Sequence, residues 1–212
     1  MYRNGEQGGM IMKQIFAWST GGILFLLMGW LPGPAGAQEI PGTLIFQQTF
    51  EEELTDWYLV QHSGATADYF MDEGKEGQGI TLIITVPPTV AMNNLQLTFE
   101  NIERPEGSDL YDWRVTFWIR TRTTPFTIRP IVAMSEDPWT GTSVNIPIET
   151  GGEWVYVDTV LPAGDFLTTD ILLLIFHMGN PGDEFGENEV SFDEINLYLL
   201  DQPAGITGWE LL

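Results

Sequence analysis

The sequence predicts an all-β domain built from two packed sheets. Downstream of an apolar segment near the N-terminus, short alternating or apolar runs are separated by Gly, Pro, Asn and Asp, which is the pattern of strands and turns. No stretch keeps a helical period over three turns. Because single open sheets rarely exceed about ten strands, the eleven candidate strands predict a two-sheet β-sandwich.

The candidate strands follow one another at short intervals. They are Thr43–Phe50, Asp56–Val60, Ala67–Met71, Gly79–Val86, Asn94–Asn101, Trp113–Arg122, Thr127–Met134, Ser143–Ile148, Glu153–Leu161, Ile171–Met178 and Glu189–Leu199. The breaks between them carry turn residues, as in Thr150–Gly152, and Gly179–Asn188 is predicted to be a loop. Ile171–Phe176 is apolar at every position, which favours a strand covered on both faces.

The segment Trp113–Arg120 shows the clearest division into two faces. Its apolar face, which is predicted to point into the core, consists of Trp113, Val115, Phe117 and Ile119. Side chains alternate along a strand, so Trp118 and Arg120 share the opposite face with a threonine and a second arginine. This second face is predicted to be a surface that a ligand can use.

The N-terminal segment has the features of a secretory signal. Lys13 precedes the apolar stretch Gly21–Leu31, prolines follow it, and Ala35-Gly36-Ala37 supplies small residues for cleavage. The apolar stretch is about half as long as a membrane-spanning helix of about 20 residues. We therefore expect cleavage after Ala37 and export to the periplasm or the outside of the cell, with Met12 as an alternative start.

Three segments follow from these boundaries. Residues 1–37 are predicted to be the signal peptide, residues 38–200 the β-sandwich domain and residues 201–212 a C-terminal tail. The middle segment has the length of one ordinary domain and can bury a core.

The composition excludes several classes of partner and chemistry. The chain has 30 acidic and 8 basic residues, which gives a net charge of −22. Binding to nucleic acid needs Lys and Arg to displace counterions from phosphates, so nucleic acid is excluded, and an anionic membrane surface is disfavoured. The chain has no cysteine and therefore neither disulfides nor a thiolate for catalysis or metal binding.

Six short motifs are spaced along the predicted strands. They are Phe50-Glu51 with Trp57, Gly77–Val86, Leu95-Gln96-Leu97, Trp113–Arg120, Glu153–Val157 and Ser191–Leu197. In order and spacing, over nearly all of residues 44–200, they resemble the carbohydrate-binding modules with a galactose-binding-like jelly roll, particularly the family four, nine and twenty-two group. The resemblance implies a jelly-roll sandwich and a non-catalytic protein that binds polysaccharide or cell-surface glycan.

The resemblance also implies a structural calcium ion. Glu51 and Asp193 occupy the positions that supply carboxylates in these modules, and main-chain carbonyls near Lys75–Gly77 would complete the shell. Calcium prefers several oxygen ligands of this kind. The alternative is that both residues are ordinary surface acids.

A sugar-binding face needs an aromatic ring that stacks on a pyranose and polar groups that fix its hydroxyls. The candidates are Trp118, Arg120, Gln96, Arg129, Asn145 and Trp139. By resemblance, Gln96 lies on a strand that lines the same cleft as Trp118, and Trp139 is expected to form a lip. Asn93-Asn94 stands where the family often has an aromatic residue. In the alternative interpretation, Trp118 packs beneath a loop and the arginines pair with surface acids.

No catalytic centre is expected. His177 alternates with Leu173 and Ile175, which favours a satisfied strand residue over a general base. The acid-dense stretch Asp183–Glu189 favours a solvated turn over a cation site. Glycoside hydrolysis needs two carboxyl groups that flank one bond, and no strand presents alternating acids on one face.

The main alternative function is an extracellular structural or adhesive subunit. Such a protein would use the same sandwich for contacts with other proteins or with further copies of itself. A lyase or hydrolase ranks third.

Overall fold

The computed structural model describes residues 42–203, except residues 53–54, 88–89, 123–125, 138, 165–168 and 180–184. The predicted signal peptide and residues 204–212 of the predicted tail lie outside this part of the chain. Among the described residues, no helix has the length and apolar character to cross a membrane.

The described chain contains twelve strands and two single-turn 3-10 helices, which are Met92–Asn94 and Ser108–Leu110. The strands are β1 (Gly42–Gln48), β2 (Trp57–Gln61), β3 (Thr66–Glu73), β4 (Gln78–Val86), β5 (Leu95–Glu103), β6 (Tyr111–Thr121), β7 (Phe126–Met134), β8 (Gly141–Ser143), β9 (Ile146–Ile148), β10 (Val155–Leu161), β11 (Ile171–Gly179) and β12 (Phe185–Pro203). All eleven predicted strands are confirmed with small shifts at their ends, and one of them is divided into β8 and β9.

The strands form two antiparallel sheets, which confirms the predicted sandwich. Sheet A has the order β10-β6-β12-β4-β3, and β1 also pairs with β12. Sheet B has the order β2-β5-β11-β7-β8, and β9 also pairs with β7. The described strands belong to one compact unit within residues 39–212.

The last strand is longer at both ends than the sequence predicts. It begins at Phe185, because Val86 at the end of β4 extends the ladder to that residue. Glu187 therefore lies in a strand rather than in the predicted loop. At its other end Pro203 pairs with Tyr111, so the predicted tail starts later than expected.

The core is closed by aromatic rings from both sheets. Phe117 and Phe192 lie on sheet A, and Phe99 and Phe176 lie on sheet B. The ring centroid of Phe176 is 5.2 Å from that of Phe117 and 5.5 Å from that of Phe192. The predicted apolar face of β6 is confirmed, since all four of its side chains are 0 % exposed.

A proline explains why one predicted strand is divided. Pro130 lies in the middle of β7 and has no N–H group to donate to a neighbouring strand. The ladder to β8 ends at the pair Ile131–Ser143 and resumes with β9 at the pair Ile128–Ile146. Because the register is the same on both sides, Asn145 lies opposite Arg129 at the edge of sheet B.

Replacing Phe176 with Ala is expected to lower the free energy of unfolding by about 3–5 kcal/mol, because the cavity lies where the two sheets meet. The control F70A removes the same side chain from a position that is 43 % exposed, where about 1 kcal/mol or less is expected. Urea unfolding measures both changes. Equal losses would contradict an aromatic core shared by the two sheets.

Candidate functional site

The structure divides the predicted ligand residues between the two outer faces of the sandwich. Trp118 and Arg120 lie on β6 in sheet A, whereas Gln96 and Arg129 lie on β5 and β7 in sheet B. The expectation that Gln96 and Trp118 line one cleft is therefore wrong. The sheet to which a strand belongs depends on its pairing partners, which lie far away in sequence and outside the motifs.

A row of polar side chains crosses the outer face of sheet B. Gln96 pairs with His177, His177 pairs with Arg129, and Asn145 lies opposite Arg129. The alternate positions of these strands point into the core, so these four side chains share the outer face. This polar row of Gln96, His177, Arg129 and Asn145 joins three of the predicted residues with a histidine that was expected to have only a structural role.

Arg129 and His177 form the centre of the polar row. Nη2 of Arg129 lies 2.7 Å from Nδ1 of His177. A guanidinium has no acceptor atom and stays protonated, so Nδ1 accepts the hydrogen bond and the ring proton is on Nε2. Burial, followed by the charge of Arg129, lowers the pKa of His177 to about 4. The imidazole is therefore neutral at neutral pH.

The other groups of the polar row mix donors and acceptors. Nε2 of Gln96 donates to the main-chain oxygen of Asn93 over 2.6 Å, which leaves the amide oxygen as an acceptor. Nε of Arg129 is buried, and no atom in the described part of the chain accepts its hydrogen. A row of this composition can form hydrogen bonds with ligand hydroxyls, which act both as donors and as acceptors.

An apolar floor continues the outer face of sheet B beyond the polar row. Ile131 and Ile175 are the next outward positions on β7 and β11, and Leu173 follows. A cavity of about 260 Å³ lies at that end and includes Tyr58, Trp139 and Leu173 in its lining. Four residues along β11, or about 13 Å, separate the polar row from this cavity.

Trp139, which was predicted to form a lip of the sugar-binding cleft, lies beside sheet B rather than beside Trp118. It is 59 % exposed and, among the described residues, lines the cavity at the far end of the apolar floor. Its backbone has a positive φ of 56°. Such an angle is uncommon for a bulky residue and is found mainly in tight turns. Four of the six predicted ligand residues thus lie on or beside the outer face of sheet B.

Trp118 is half-buried on the opposite sheet. Nζ of Lys75 lies over its ring, 5.1 Å from the centroid, and the ring of Tyr156 is 5.1 Å away. The indole nitrogen donates to Glu194 over 3.2 Å. The ring is neither enclosed in the core nor an open platform, because a lysine covers it.

Glu51 and Asp193 converge on one segment, residues 74–78. Oε1 of Glu51 accepts a hydrogen bond from the main-chain N–H of Gln78 over 2.7 Å. Oδ2 of Asp193 accepts from the N–H groups of Lys75 and Glu76, over 2.7 Å and 3.0 Å. Asp193 is fully buried, and this burial raises its pKa, with a further contribution from the charge of Glu51.

Local backbone features bring the two carboxylates together. The pairing of β12 with β6 is irregular between Asp193 and Asn196, and Glu194 there has a φ of 47°. Gly77 has a φ of 67°, and a Cβ atom on it would lie only 1.8 Å from Oε1 of Glu51. Only glycine therefore admits the Glu51 carboxylate at this place.

The donor set near Glu51 and Asp193 limits what can bind there. Within the described residues, no group of three or more His, Asp or Glu side chains could hold a metal ion. A cation between the two carboxylates would therefore need main-chain carbonyls of residues 74–78 as further ligands, which suits calcium better than a transition metal.

No protein-family model matches the chain, and no curated protein matches it. Among solved structures, a CBM4 carbohydrate-binding module is similar over 74 % of this chain and 97 % of its own, with a TM-score of 0.52 and 17 % identity. The CBM22-1 xylan-binding domain from Paenibacillus barcinonensis Xyn10C is similar over 76 % of this chain and 97 % of its own, with a TM-score of 0.50 and 13 % identity.

A third similar structure contains a module of the same type within a larger chain. The CBM22-1-GH10 modules of Clostridium thermocellum endo-1,4-beta-D-xylanase 10B are similar over 79 % of this chain and 30 % of theirs, with a TM-score of 0.51 and 14 % identity. At these identities the similarities show the fold. The fold is the jelly-roll sandwich of the carbohydrate-binding-module groups that the sequence motifs resemble.

The imidazole of His177 is expected to titrate near pH 4. Replacing Arg129 with Gln removes a neighbouring positive charge and is expected to raise the pKa of His177, although burial keeps it below the ordinary value of about 6.5. NMR spectra of the imidazole over pH 3–8 measure both values. Titration of His177 near pH 6.5 in the unmodified protein would contradict the buried Arg129–His177 pair.

The same shift predicts how stability changes with pH. Since the folded state holds His177 below its ordinary pKa, the unfolded chain binds the proton first as the pH falls, and stability is lost from about pH 6.5 down to about pH 4. The variant H177Q serves as the control, because it is expected to lose less stability than the unmodified protein over this range.

Proposed function

We propose that this chain is a secreted, non-catalytic protein that binds a polysaccharide or a cell-surface glycan on the outer face of sheet B. The observation that carries the proposal is the polar row beside an apolar floor, on a fold shared with carbohydrate-binding modules. Two of the similar structures are a xylan-binding domain and a chain complexed with xylohexaose. Xylan is therefore the first polymer to test.

The surface suits a sugar chain because it combines apolar area with few polar groups. The half-buried side chains of Ile131 and Ile175 can contact the C–H face of a pyranose ring, beside Leu173, which is only 4 % exposed, while donors and acceptors in the polar row fix the hydroxyls. Trp139 supplies an exposed indole at the end of the floor. Such a ring binds with little loss of conformational entropy.

We infer that the protein does not hydrolyse its ligand. Hydrolysis needs two carboxyl groups about 5–10 Å apart across the reacting bond. The polar row contains none, and Glu100 is the one carboxylate among the described residues that line the cavity beside Trp139. The secretory signal that the sequence predicts at residues 1–37 supports export, and with it binding outside the cytoplasm.

Glycan binding is expected to depend on Arg129 and Trp139. Affinity gel electrophoresis with soluble xylan, mannan and mixed-linkage glucan, and pull-down on insoluble chitin, are expected to show retention on at least one polymer. R129Q removes a charged donor worth about 1.5–3 kcal/mol, or tenfold or more in affinity, and W139A removes the exposed ring.

The matched control is W118A, which removes an indole from the opposite sheet and is expected to leave retention unchanged. Loss of retention in W118A alone would place the glycan on sheet A. Release of reducing ends from the retained polymer would show an enzyme instead.

A second candidate function is an extracellular structural or adhesive subunit. The edge strand β3 exposes Tyr69, Phe70 and Met71, and an edge with free main-chain groups can pair with another chain. Asp68 and Asp72 on the same strand oppose pairing with a second copy. No retention on any polymer, together with concentration-dependent assembly in light scattering, would favour this function.

We also infer that Glu51 and Asp193 hold a structural calcium ion. A fully buried carboxylate beside a second carboxylate destabilises the fold unless a cation or hydrogen bonds offset the repulsion. The hydrogen bonds from residues 74–78 provide part of this compensation. A calcium ion would supply the positive charge that this part of the structure otherwise takes from main-chain N–H groups alone.

Removal of calcium is expected to lower the melting temperature by about 5–10 °C, as for the loss of a ligand held at about a hundred times its Kd. Differential scanning calorimetry in chelator and in excess calcium measures the change. D193N is expected to abolish the calcium dependence, whereas E52Q, which removes an exposed neighbouring acid, is expected to keep it. Identical melting curves in chelator and calcium would rule out the site.

A further inference from the structure

The few basic residues of this acidic chain are unevenly distributed. Four of those that the structure describes lie on or border the outer face of sheet A: Lys75, Arg114, Arg120 and Arg122. This is the face opposite the proposed glycan surface, and its groups have no part in the proposed function.

Two of these arginines share a cavity at one end of sheet A. The cavity has a volume of about 280 Å³ and is lined by Arg120, Arg122, Gly152 and Glu189. Arg122 is largely exposed and lies 3.6 Å from Glu189. Within the described residues, the cavity therefore contains two guanidinium groups and one carboxylate, a local excess of positive charge on a protein with a net charge of −22.

Arg120 is held in place without a carboxylate. Its guanidinium lies over the ring of Trp154, 4.9 Å from the centroid, and Nη2 donates to Ser191 over 3.3 Å. No Asp or Glu in the described part of the chain forms an ion pair with it. By contrast, Arg114 on the same face makes two hydrogen bonds to Asp158, over 2.8 Å and 2.7 Å.

Backbone contacts fix the walls of the cavity. The hydroxyl of Thr150 accepts from the N–H of Thr121 over 3.0 Å and donates to its carbonyl over 2.8 Å. The N–H of Arg122 donates to the carbonyl of Glu189 over 2.9 Å. Gly152 has a φ of 89°, and a Cβ atom there would meet nothing within 4 Å, so the wall next to it is open.

We propose that this cavity is a second binding site, which takes the carboxylate or sulfate group of an acidic sugar. Arginine binds planar carboxylates and tetrahedral oxyanions through paired N–H donors, and Arg120 is oriented by Trp154 before any ligand arrives. Tyr156 follows two residues later on β10 and is 47 % exposed. Its ring offers apolar surface about 7 Å further along the strand, where the sugar itself would lie.

The net charge of the protein restricts how many negative charges the ligand can carry. Charges beyond about 8 Å are largely screened at physiological ionic strength, so one anionic group in the cavity is little affected by distant acids. A continuous polyanion would bring many charges against a surface rich in Asp and Glu. The site therefore fits a single acidic substituent on an otherwise neutral glycan.

The test is an NMR titration at constant ionic strength, with sodium glucuronate, N-acetylglucosamine 6-sulfate and glucose as separate probes. The Nε–H signals of Arg120 and Arg122 and the amide of Gly152 are expected to shift with one or both acidic sugars, and not with glucose or added sodium chloride. R120Q and R122Q are each expected to weaken binding tenfold or more. The control R114Q removes the same charge from the same strand and face, outside the cavity, and is expected to bind normally.

Each outcome bears directly on the proposal. Shifts with an acidic sugar that R120Q abolishes and R114Q preserves support the site, and the stronger probe identifies the anionic group. Absence of shifts, equal shifts with glucose, or unchanged binding by R120Q would overturn it. Retention of neutral polymers through Arg129 is a separate measurement, so failure here leaves the proposed function on sheet B intact.

Discussion

The packing of phenylalanine rings between the two sheets determines which side chains of the paired strands point into the core and which point outward. Phe176 of sheet B packs against Phe117 and Phe192 of sheet A. Because side chains alternate along a strand, an inward Phe117 requires an outward Trp118, and an inward Phe176 requires an outward His177. The two outer faces, and the candidate sites on them, therefore follow from the packing of the core.

Periodicity within a strand predicted the faces correctly, whereas the grouping of residues from different strands was only partly predictable. The alternation in Trp113–Arg120 indicated both the core and the outer residues of β6. The separation of Gln96 from Trp118 depends on strand pairing between distant segments, which short motifs do not encode. Asn145 lies opposite Arg129 because β8 and β9 keep the same register on both sides of Pro130. The hydrogen bond between Arg129 and His177 joins residues that are 48 positions apart in the sequence.

Each outer face of the sandwich carries an arginine that is held by an uncharged partner. In a chain with 30 acidic residues, an arginine readily finds a carboxylate, as Arg114 does with Asp158. Arg129 instead donates to a neutral imidazole, and Arg120 lies over an indole. Among the described residues, neither has a carboxylate partner, so each keeps donor capacity that a ligand can use.

The segment of residues 74–78 connects the carboxylate pair to the outer face of sheet A. Its main-chain N–H groups bind Asp193 and Glu51, and the side chain of Lys75 from the same segment covers Trp118. The exposure of Trp118 thus depends in part on the conformation of this turn, whereas its position on β6 decides which face it occupies. Any cation that drew the carbonyls of this turn toward Glu51 and Asp193 would move the backbone that carries Lys75. Alternation along β6 could therefore place the indole on an outer face, but its exposure also depends on Lys75 from the turn, Tyr156 from β10 and Glu194 from β12.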